Sequence, residues 1–222
     1  MSTVPWLTAA VKPLTRGRSV TSVLTGIGVR VRLYRMSRVP LVPSDDPDAV
    51  RQGVFDSFVA EQREPIDLYR ALANAPDLLV AYRSLPQHLR HAGTTPRRLR
   101  ELAVLRLAQL VGSAYEWSHH RPMAVKAGVT ETQIGALASW RTSDQFDADE
   151  RAVLAAAEAI HHVRLSDAEF AALEERLGRT GAMEIVVAVA QYEATARIIQ
   201  ALDVEVEPKY APHLADWEPI RA

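Results

Sequence analysis

A glutamate and two histidines stand close together in the stretch S-A-Y-E-W-S-H-H at residues 113–120. Glu116 and His120 are four residues apart, so on a helix their side chains lie on the same face and can touch. A carboxylate beside an imidazole is a general acid/base pair, which can move a proton to or from a substrate. The spacing therefore predicts proton-transfer chemistry in which His120 is the acid/base and Glu116 its partner.

Glu116 also has a purely structural interpretation, which the sequence favours equally. Ser113 and Glu116 form the S-x-x-E pattern of a capping box, whose two side chains satisfy free N–H groups at a helix start. The two roles can coexist, because a helix start is also a natural anion site. His119 points about 100° away from His120 on an ideal helix. We therefore expect His119 to support the site or to lie at an interface.

Glu101 is a further carboxylate, on the mostly apolar helix that precedes this motif. A buried carboxylate needs a partner, since otherwise it takes up a proton. The structural alternative to a role in the site is a salt bridge to Arg97, Arg98 or Arg106.

The wider motif resembles the carboxymuconolactone decarboxylase family, part of the alkylhydroperoxidase-like superfamily. The residues that carry the resemblance are R-E-L-A-V-L-R-L-A-Q-L-V-G-S-A-Y-E-W-S-H-H and then P-M-A-V-K-A-G-V. In the redox branch a glutamate precedes C-x-x-C-x-x-x-H on the next helix. Glu101, Ser113, Glu116 and His120 fall at these positions, so oxygen side chains replace both cysteines. The form E-W-x-x-H resembles the decarboxylase branch, which lacks the cysteine pair.

The resemblance implies a cofactor-independent lyase that acts on a small carboxylated lactone or a related intermediate. The reaction would be a decarboxylation or a shift of a double bond and a proton, and an isomerase, dehydratase or cyclase would use the same parts. The resemblance implies that His120 carries the proton and that Glu116 orients the histidine. It also implies that Glu101 lies near His120 and either relays the proton or tunes the acidity of the site. A non-catalytic oligomeric scaffold is the alternative from another class, because fold alone does not fix function.

Several residues around the pair are candidates for substrate contact, and each has a structural alternative. The backbone N–H groups between Ser113 and Tyr115 could bind a substrate oxyanion or carboxylate. Tyr115 and Trp117 are expected to be pocket wall or core. Arg121 could hold a substrate carboxylate, although a solvated charge is the favoured interpretation. The candidate substrate-binding residues are Ser113, Tyr115, Trp117, His119 and Arg121.

A metal-binding alternative comes from a second segment with the same Glu-x-x-His spacing. The segment E-W-S-H at 116–119 and the segment E-A-I-H at 158–161 share the Glu-x-x-His spacing of di-iron carboxylate bundles. Such a site needs a glutamate from each of two further helices, for which Glu101 and Glu193 are available. On this alternative the chain is a di-metal carboxylate enzyme. The resemblance favours a site with no metal and no organic cofactor.

The rest of the sequence predicts an all-α, alkylhydroperoxidase-like fold of about eight helices. The helix that carries Glu101 is apolar on several sides, so we expect it to be buried on most faces. Gly112 and Gly128 bound the motif helix. Capping-box patterns predict the starts of three later helices, at Thr130, Asp147 and Ser166.

Three segments are predicted: a basic arm at 1–38, the helical domain at 39–208 and a tail at 209–222. Residues 1–44 contain seven lysines and arginines and no acidic residue, whereas the whole chain has a formal charge of −1. A basic arm on an acidic body can dock on that body, on a neighbouring subunit or on an anionic surface. Together with the resemblance, this predicts a homo-oligomer with the arm at or near a subunit contact.

Composition excludes several other classes of function. The chain has no cysteine, which excludes disulfides, thiolate metal ligands and thiol peroxidase chemistry. Its near-neutral charge gives no argument for nucleic-acid binding. The family resemblance implies a small-molecule substrate as the partner. We find no run of about eighteen apolar residues and no signal-peptide pattern. We therefore expect a cytoplasmic protein without integral membrane association.

Overall fold

The computed structural model describes residues 37–60 and 63–220. The basic arm predicted at 1–38 therefore lies, apart from its last two residues, outside the described residues. Within the described ranges the chain forms eight α-helices and no strand, so the all-α prediction is confirmed. The helices, numbered α1 to α8, are Ala49–Ala60, Asp67–Leu72, Pro76–His91, Arg97–Val111, Ala114–Lys126, Glu131–Ala136, Ala148–His161 and Asp167–Leu202.

Helix α4 lies at the centre and packs against α5, α7 and α8. Its side chains are buried around the whole circumference, as the apolar pattern predicted, and Leu102 and Leu105 are fully enclosed. Gly112 ends α4 in the left-handed conformation, with φ 67°, which a residue with a Cβ adopts only with strain. This turn sends α5 back along α4, so that residues of the two helices can meet.

Helix α8 spans Asp167 to Leu202 and consists of two helical halves. Gly178 has non-helical angles, φ 69° and ψ 168°, and marks a kink between the two halves. By length and composition α8 qualifies as a candidate membrane span. The buried core helix of a compact domain passes the same test, and α8 packs along α4 and α7.

The C-terminal segment after α8 crosses α5. It contains a 3₁₀ turn, Ala211–Leu214, that contacts α5. Trp217 packs on Trp117, with ring centroids 5.3 Å apart, and the N–H of Ile220 donates to the carbonyl of Gln109. One side of α5 is thus covered by this segment, while the other side faces α4.

Candidate active site

Glu101 and His120 are joined directly between α4 and α5. Oε2 of Glu101 lies 2.8 Å from Nδ1 of His120. The other oxygen, Oε1, accepts a hydrogen bond of 3.0 Å from Nε of Arg97. Glu101 therefore has both of its expected partners at once, the histidine and one of the candidate arginines.

Glu116 reaches His120 from the opposite side of the ring. Its Oε2 lies 3.4 Å from Nε2 of His120. The hydroxyl of Ser113 accepts the N–H of Glu116 and so caps α5, but the N–H of Ser113 donates to the carbonyl of Ala108. Only half of a capping box forms, and the Glu116 carboxyl group is left to face the histidine.

The three side chains are buried, and the two carboxyl groups differ in proton affinity. Glu101 and Glu116 are each 4% exposed and His120 is 5% exposed. Burial raises the pKa of Glu116 to about 8, a rise that Arg90 opposes and Glu101 reinforces. Burial acts in the same direction on Glu101, but His120 and Arg97 outweigh it and hold the pKa of Glu101 below its usual value.

Near pH 7 this difference leaves one acid and one base beside the same imidazole. Glu116 is mainly a neutral carboxylic acid, whereas Glu101 is a carboxylate. A path therefore runs from the Glu116 carboxyl group, 3.4 Å from Nε2 of His120, through the imidazole to the hydrogen bond between Nδ1 of His120 and Glu101. Two carboxyl groups whose environments separate their pKa values are a typical general acid and general base.

A cavity of about 10 Å³ adjoins this path, room for about one water molecule. Glu101 and His120 lie in its wall, whereas Glu116 lies behind His120 and does not. Apolar side chains form part of the wall, and three arginines form much of the rest. The full lining is Leu89, Arg90, Arg97, Arg100, Glu101, Val104, His120, Ala188 and Tyr192.

The arginines give the cavity its positive charge, and sequence reasoning missed two of them. Arg90 is in the last turn of α3 and donates to the hydroxyl of Tyr69. Arg100 donates to the carbonyl of Thr95. A basic residue at a helix end is usual, so Arg90 carried no functional signal in the sequence. Arg97 had been predicted only as a partner of Glu101.

His119 and Tyr115 belong to a different cluster on the other side of α5. The His119 ring lies between the rings of Tyr115 and Tyr210, with centroids 4.2 and 3.8 Å away. Its Nε2 is 3.1 Å from Oε2 of Glu207. The Tyr115 hydroxyl donates to Oε1 of Glu207, which also accepts the N–H of Asp67 at the start of α2. These two predicted substrate-binding residues do not line the cavity.

Trp117 and Arg121 also lie away from the cavity. Trp117 is 1% exposed and packs in the apolar core beside Trp217. Arg121 is tied to Asp216 and Glu131, at N–O distances of 2.9 and 2.7 Å. It is thus neither a substrate ligand in this arrangement nor a free solvated charge, but a link between α5, α6 and the C-terminal segment.

The residues required by the di-metal alternative have other partners. Glu158 accepts hydrogen bonds from Arg106, Trp140 and Arg141. Glu193 pairs with Arg197 and also lies 3.5 Å from Nδ1 of His161. Across the parts of the chain that the structure describes, no three His, Asp or Glu residues form a group suited to a metal ion. The two Glu-x-x-His segments therefore do not come together as a di-metal site in the described parts of the chain.

Comparison with known protein families confirms the resemblance. Residues 76–159 match the model of the Carboxymuconolactone decarboxylase family. This range contains α3 to α6 and most of α7, and with them Glu101, Glu116 and His120. No curated protein matches the chain.

Solved structures share the fold over most of the chain. The apo debrominase Bmp8 is 25% identical, with a TM-score of 0.67 over 81% of this chain and 96% of its own. A cysteine-to-alanine variant of Bmp8, solved with 2,3,4-tribromopyrrole, is 24% identical, with a TM-score of 0.67 over 83% and 99%. An AhpD-core, peroxidase-related protein from Ralstonia eutropha is 20% identical, with a TM-score of 0.66 over 84% and 100%. The alkylhydroperoxidase-like fold is confirmed, and the family and the debrominase indicate a related enzymatic function.

Proposed function

We propose that this chain, whose residues 76–159 match the model of the carboxymuconolactone decarboxylase family, transfers a proton to or from a carbon atom of a small anionic substrate. The observation that carries the proposal is the path from Glu116 through His120 to Glu101, which ends at a cavity lined by arginines. The expected reaction class is decarboxylation, or a shift of a double bond and a proton.

The path is suited to delivering a proton to carbon. When the bond to a leaving CO2 breaks, its electron pair passes into an enolate, and the substrate carbon then needs a proton. Nε2 of His120 takes the proton of Glu116 while the Nδ1–H of His120 passes to the Glu101 carboxylate, which then delivers that proton to the carbon. The path thus ends with Glu116 ionised and Glu101 restored. With a pKa of about 8, Glu116 is an acid matched to neutral pH.

We assign Glu101 to the position next to the substrate. The sequence pattern predicted that His120 occupies that position. Both ring nitrogens of His120 face carboxyl groups, at 2.8 and 3.4 Å. The histidine is therefore better placed to conduct the proton than to contact the substrate carbon. Glu101 lies in the cavity wall and is a carboxylate that Arg97 holds in position.

Arg90, Arg97 and Arg100 supply the electrostatic part of the proposal. Fixed positive charges in a water-poor site attract an anion and stabilise an oxyanion as it develops. The cavity is smaller than any carboxylated lactone, so substrate binding requires part of the wall to move. The side chain of Arg97 is 37% exposed, and its rotation into solvent would open the cavity next to Glu101.

Thiol chemistry is not available to this chain, because it contains no cysteine. We therefore expect no dithiol-dependent reduction of hydroperoxides, in contrast with the redox branch of the superfamily. The same absence separates the chain from any reaction in which a cysteine attacks the substrate. Hydroperoxide turnover by the purified protein with a dithiol as reductant would contradict this expectation.

The proposal is tested by deuterium exchange. Carboxylated lactones and 2-oxo and 3-oxo acids are incubated with the protein in D2O, and incorporation at carbon and release of CO2 are followed by NMR. Wild type should catalyse exchange or deuterated-product formation with at least one compound. Glu101→Gln should lower that rate by about 10²- to 10⁴-fold, while Glu131→Gln, at an exposed glutamate, should not. Turnover without solvent deuterium at carbon, or an unchanged rate in Glu101→Gln, would refute the proposal.

A further inference from the structure

Tyr192 contributes an unused polar group to the cavity. Its side chain, on α8, lies in the wall together with Glu101 and His120. The edge of one ring meets the face of the other between Tyr192 and His120, with centroids 4.6 Å apart and planes at 83°. Tyr192 is only 7% exposed, so its hydroxyl has little access to bulk water.

Nearby tyrosines show what a buried hydroxyl normally does in this fold. The Tyr82 hydroxyl is bonded to Thr195, the Tyr69 hydroxyl accepts from Arg90, and Tyr115 uses its hydroxyl with Glu207. No hydrogen bond joins the Tyr192 hydroxyl to the described groups around it, and this hydroxyl keeps some accessible surface, since it is not among the fully enclosed polar atoms that lack a partner. A hydroxyl that borders a cavity and has no partner in the protein is available for a ligand in that cavity.

The surroundings keep the Tyr192 hydroxyl a donor. Burial raises the pKa of this phenol, Arg90 opposes the rise, and Glu116 and Glu101 add to it. The phenol is therefore protonated at neutral pH and presents an O–H beside the arginines. A neutral donor next to guanidinium groups suits a ligand that carries a second oxygen besides its carboxylate.

We infer that Tyr192 is a substrate-binding residue whose hydroxyl donates to the carbonyl or enolate oxygen of the substrate. The ligand class is a small carboxylate that carries a neighbouring carbonyl, with the arginines holding the carboxylate. This inference rests on the proposed function, because the oxygen that Tyr192 contacts is the one that gains charge while Glu101 exchanges the proton. Donors at such an oxygen favour the enolate over the ground state.

The test uses pyruvate and methacrylate, which differ in having either a carbonyl oxygen or a methylene group beside the same carboxylate. Dissociation constants are measured by NMR titration of wild type, Tyr192→Phe and Tyr82→Phe. Wild type should bind pyruvate about five- to tenfold more tightly than methacrylate, the effect of one hydrogen bond. Tyr192→Phe should bind the two equally, and Tyr82→Phe should keep the wild-type preference.

Thermal unfolding without ligand provides a readout that does not depend on the reaction. Tyr82→Phe loses the bond to Thr195 and should lower the Tm by about 2–4 °C. Tyr192→Phe loses no bond and should leave the Tm nearly unchanged. A loss in Tyr192→Phe as large as in Tyr82→Phe would overturn the inference, because the hydroxyl would then have a partner in the free protein, such as an ordered water.

The remaining outcomes separate this inference from the proposed function. Equal binding of the two probes to wild type, binding of neither, or a pyruvate preference that survives in Tyr192→Phe would overturn the role of Tyr192. Deuterium exchange that depends on Glu101 would still stand in each of those cases. Conversely, a pyruvate preference lost in Tyr192→Phe, without any exchange by wild type, would retain the binding role and refute the proposed chemistry.

Discussion

The two neighbouring histidines of α5 have similar immediate partners and very different surroundings. His119 and His120 are 7% and 5% exposed, and each lies within about 3 Å of a glutamate oxygen. His120 lies in the wall of a cavity and between two carboxyl groups. His119 is enclosed by two aromatic rings, and its partner Glu207 also binds the start of α2.

This difference shows that a buried histidine–glutamate pair is not by itself an active site. The Glu207 cluster connects α2, α5 and the C-terminal segment: Oε1 of Glu207 accepts from Asp67 and Tyr115, and Oε2 lies 3.1 Å from Nε2 of His119. The Glu101 cluster ends at a space that a ligand can occupy, and its two carboxyl groups differ in pKa. A proton path needs both an end that contacts the substrate and a group that can supply the proton, and only the His120 side offers both.

A large effect on kcat is expected from Glu116→Gln. Glutamine retains a polar contact to Nε2 of His120 but cannot supply a proton, so kcat on a proven substrate should fall about 10²-fold. Wild-type activity should decline above about pH 8 as Glu116 ionises, and the variant should lack that decline. A pH–rate profile of both proteins checks this, and identical profiles would remove Glu116 from the path.

A smaller effect on substrate affinity is expected from Arg97→Met. The change removes a cavity-wall cation that also binds Glu101, so KM for an anionic substrate should rise about tenfold. Arg121→Met is the matched control, because Arg121 is paired with Asp216 and Glu131 outside the cavity. Steady-state kinetics of both variants provide the measurement. A larger rise of KM in Arg121→Met than in Arg97→Met would indicate that the substrate anion binds at α5 instead.

On the other side of α5, Glu207→Ala should affect stability and not kinetics. It leaves the N–H of Asp67 and the hydroxyl of Tyr115 without their acceptor, and we expect a Tm lower by about 5 °C. Glu205→Ala, at an exposed neighbour, should change the Tm very little. If Glu207→Ala lowered kcat while the Tm was unchanged, the contrast between the two histidine sites would be wrong.

A further expectation concerns the pH dependence of stability. The pKa of Glu116 is raised in the folded state from 4.5 to about 8, so its favourable contribution is fully present below pH 4.5 and is lost as the pH rises through 8. The Tm of Glu116→Gln relative to wild type should therefore increase from pH 5 to pH 9. Glu101→Gln should show no such increase, since the pKa of Glu101 is lowered. A constant difference for Glu116→Gln would contradict the assignment.

Local sequence signals predicted the helices well. The capping boxes at Thr130, Asp147 and Ser166 all form and start α6, α7 and α8. The burial of α4 on all sides followed from its apolar residues. These features depend on neighbouring residues in the chain, so the pattern itself contains the necessary information.

Contacts between distant segments were the part that could not be predicted. The i,i+4 spacing predicted the contact between Glu116 and His120. Glu207 lies far from His119 along the chain, so no local pattern indicated that the two side chains are partners. The cavity depends on how α3 and α8 pack over α4, so the roles of Arg90 and Tyr192 became visible only in the fold. The pairing of Arg121 with Asp216 likewise depends on the path of the C-terminal segment.

The most direct test is a joint measurement of deuterium-exchange rate and Tm for His120→Gln and His119→Gln. His120→Gln should lower the exchange rate about 10²- to 10⁴-fold with a folded, cooperative transition. His119→Gln should lower the Tm and keep most of the exchange rate at temperatures where the variant is folded. The reverse result, with exchange retained in His120→Gln and lost in folded His119→Gln, would contradict the assignment of the chemistry to the His120 side of α5.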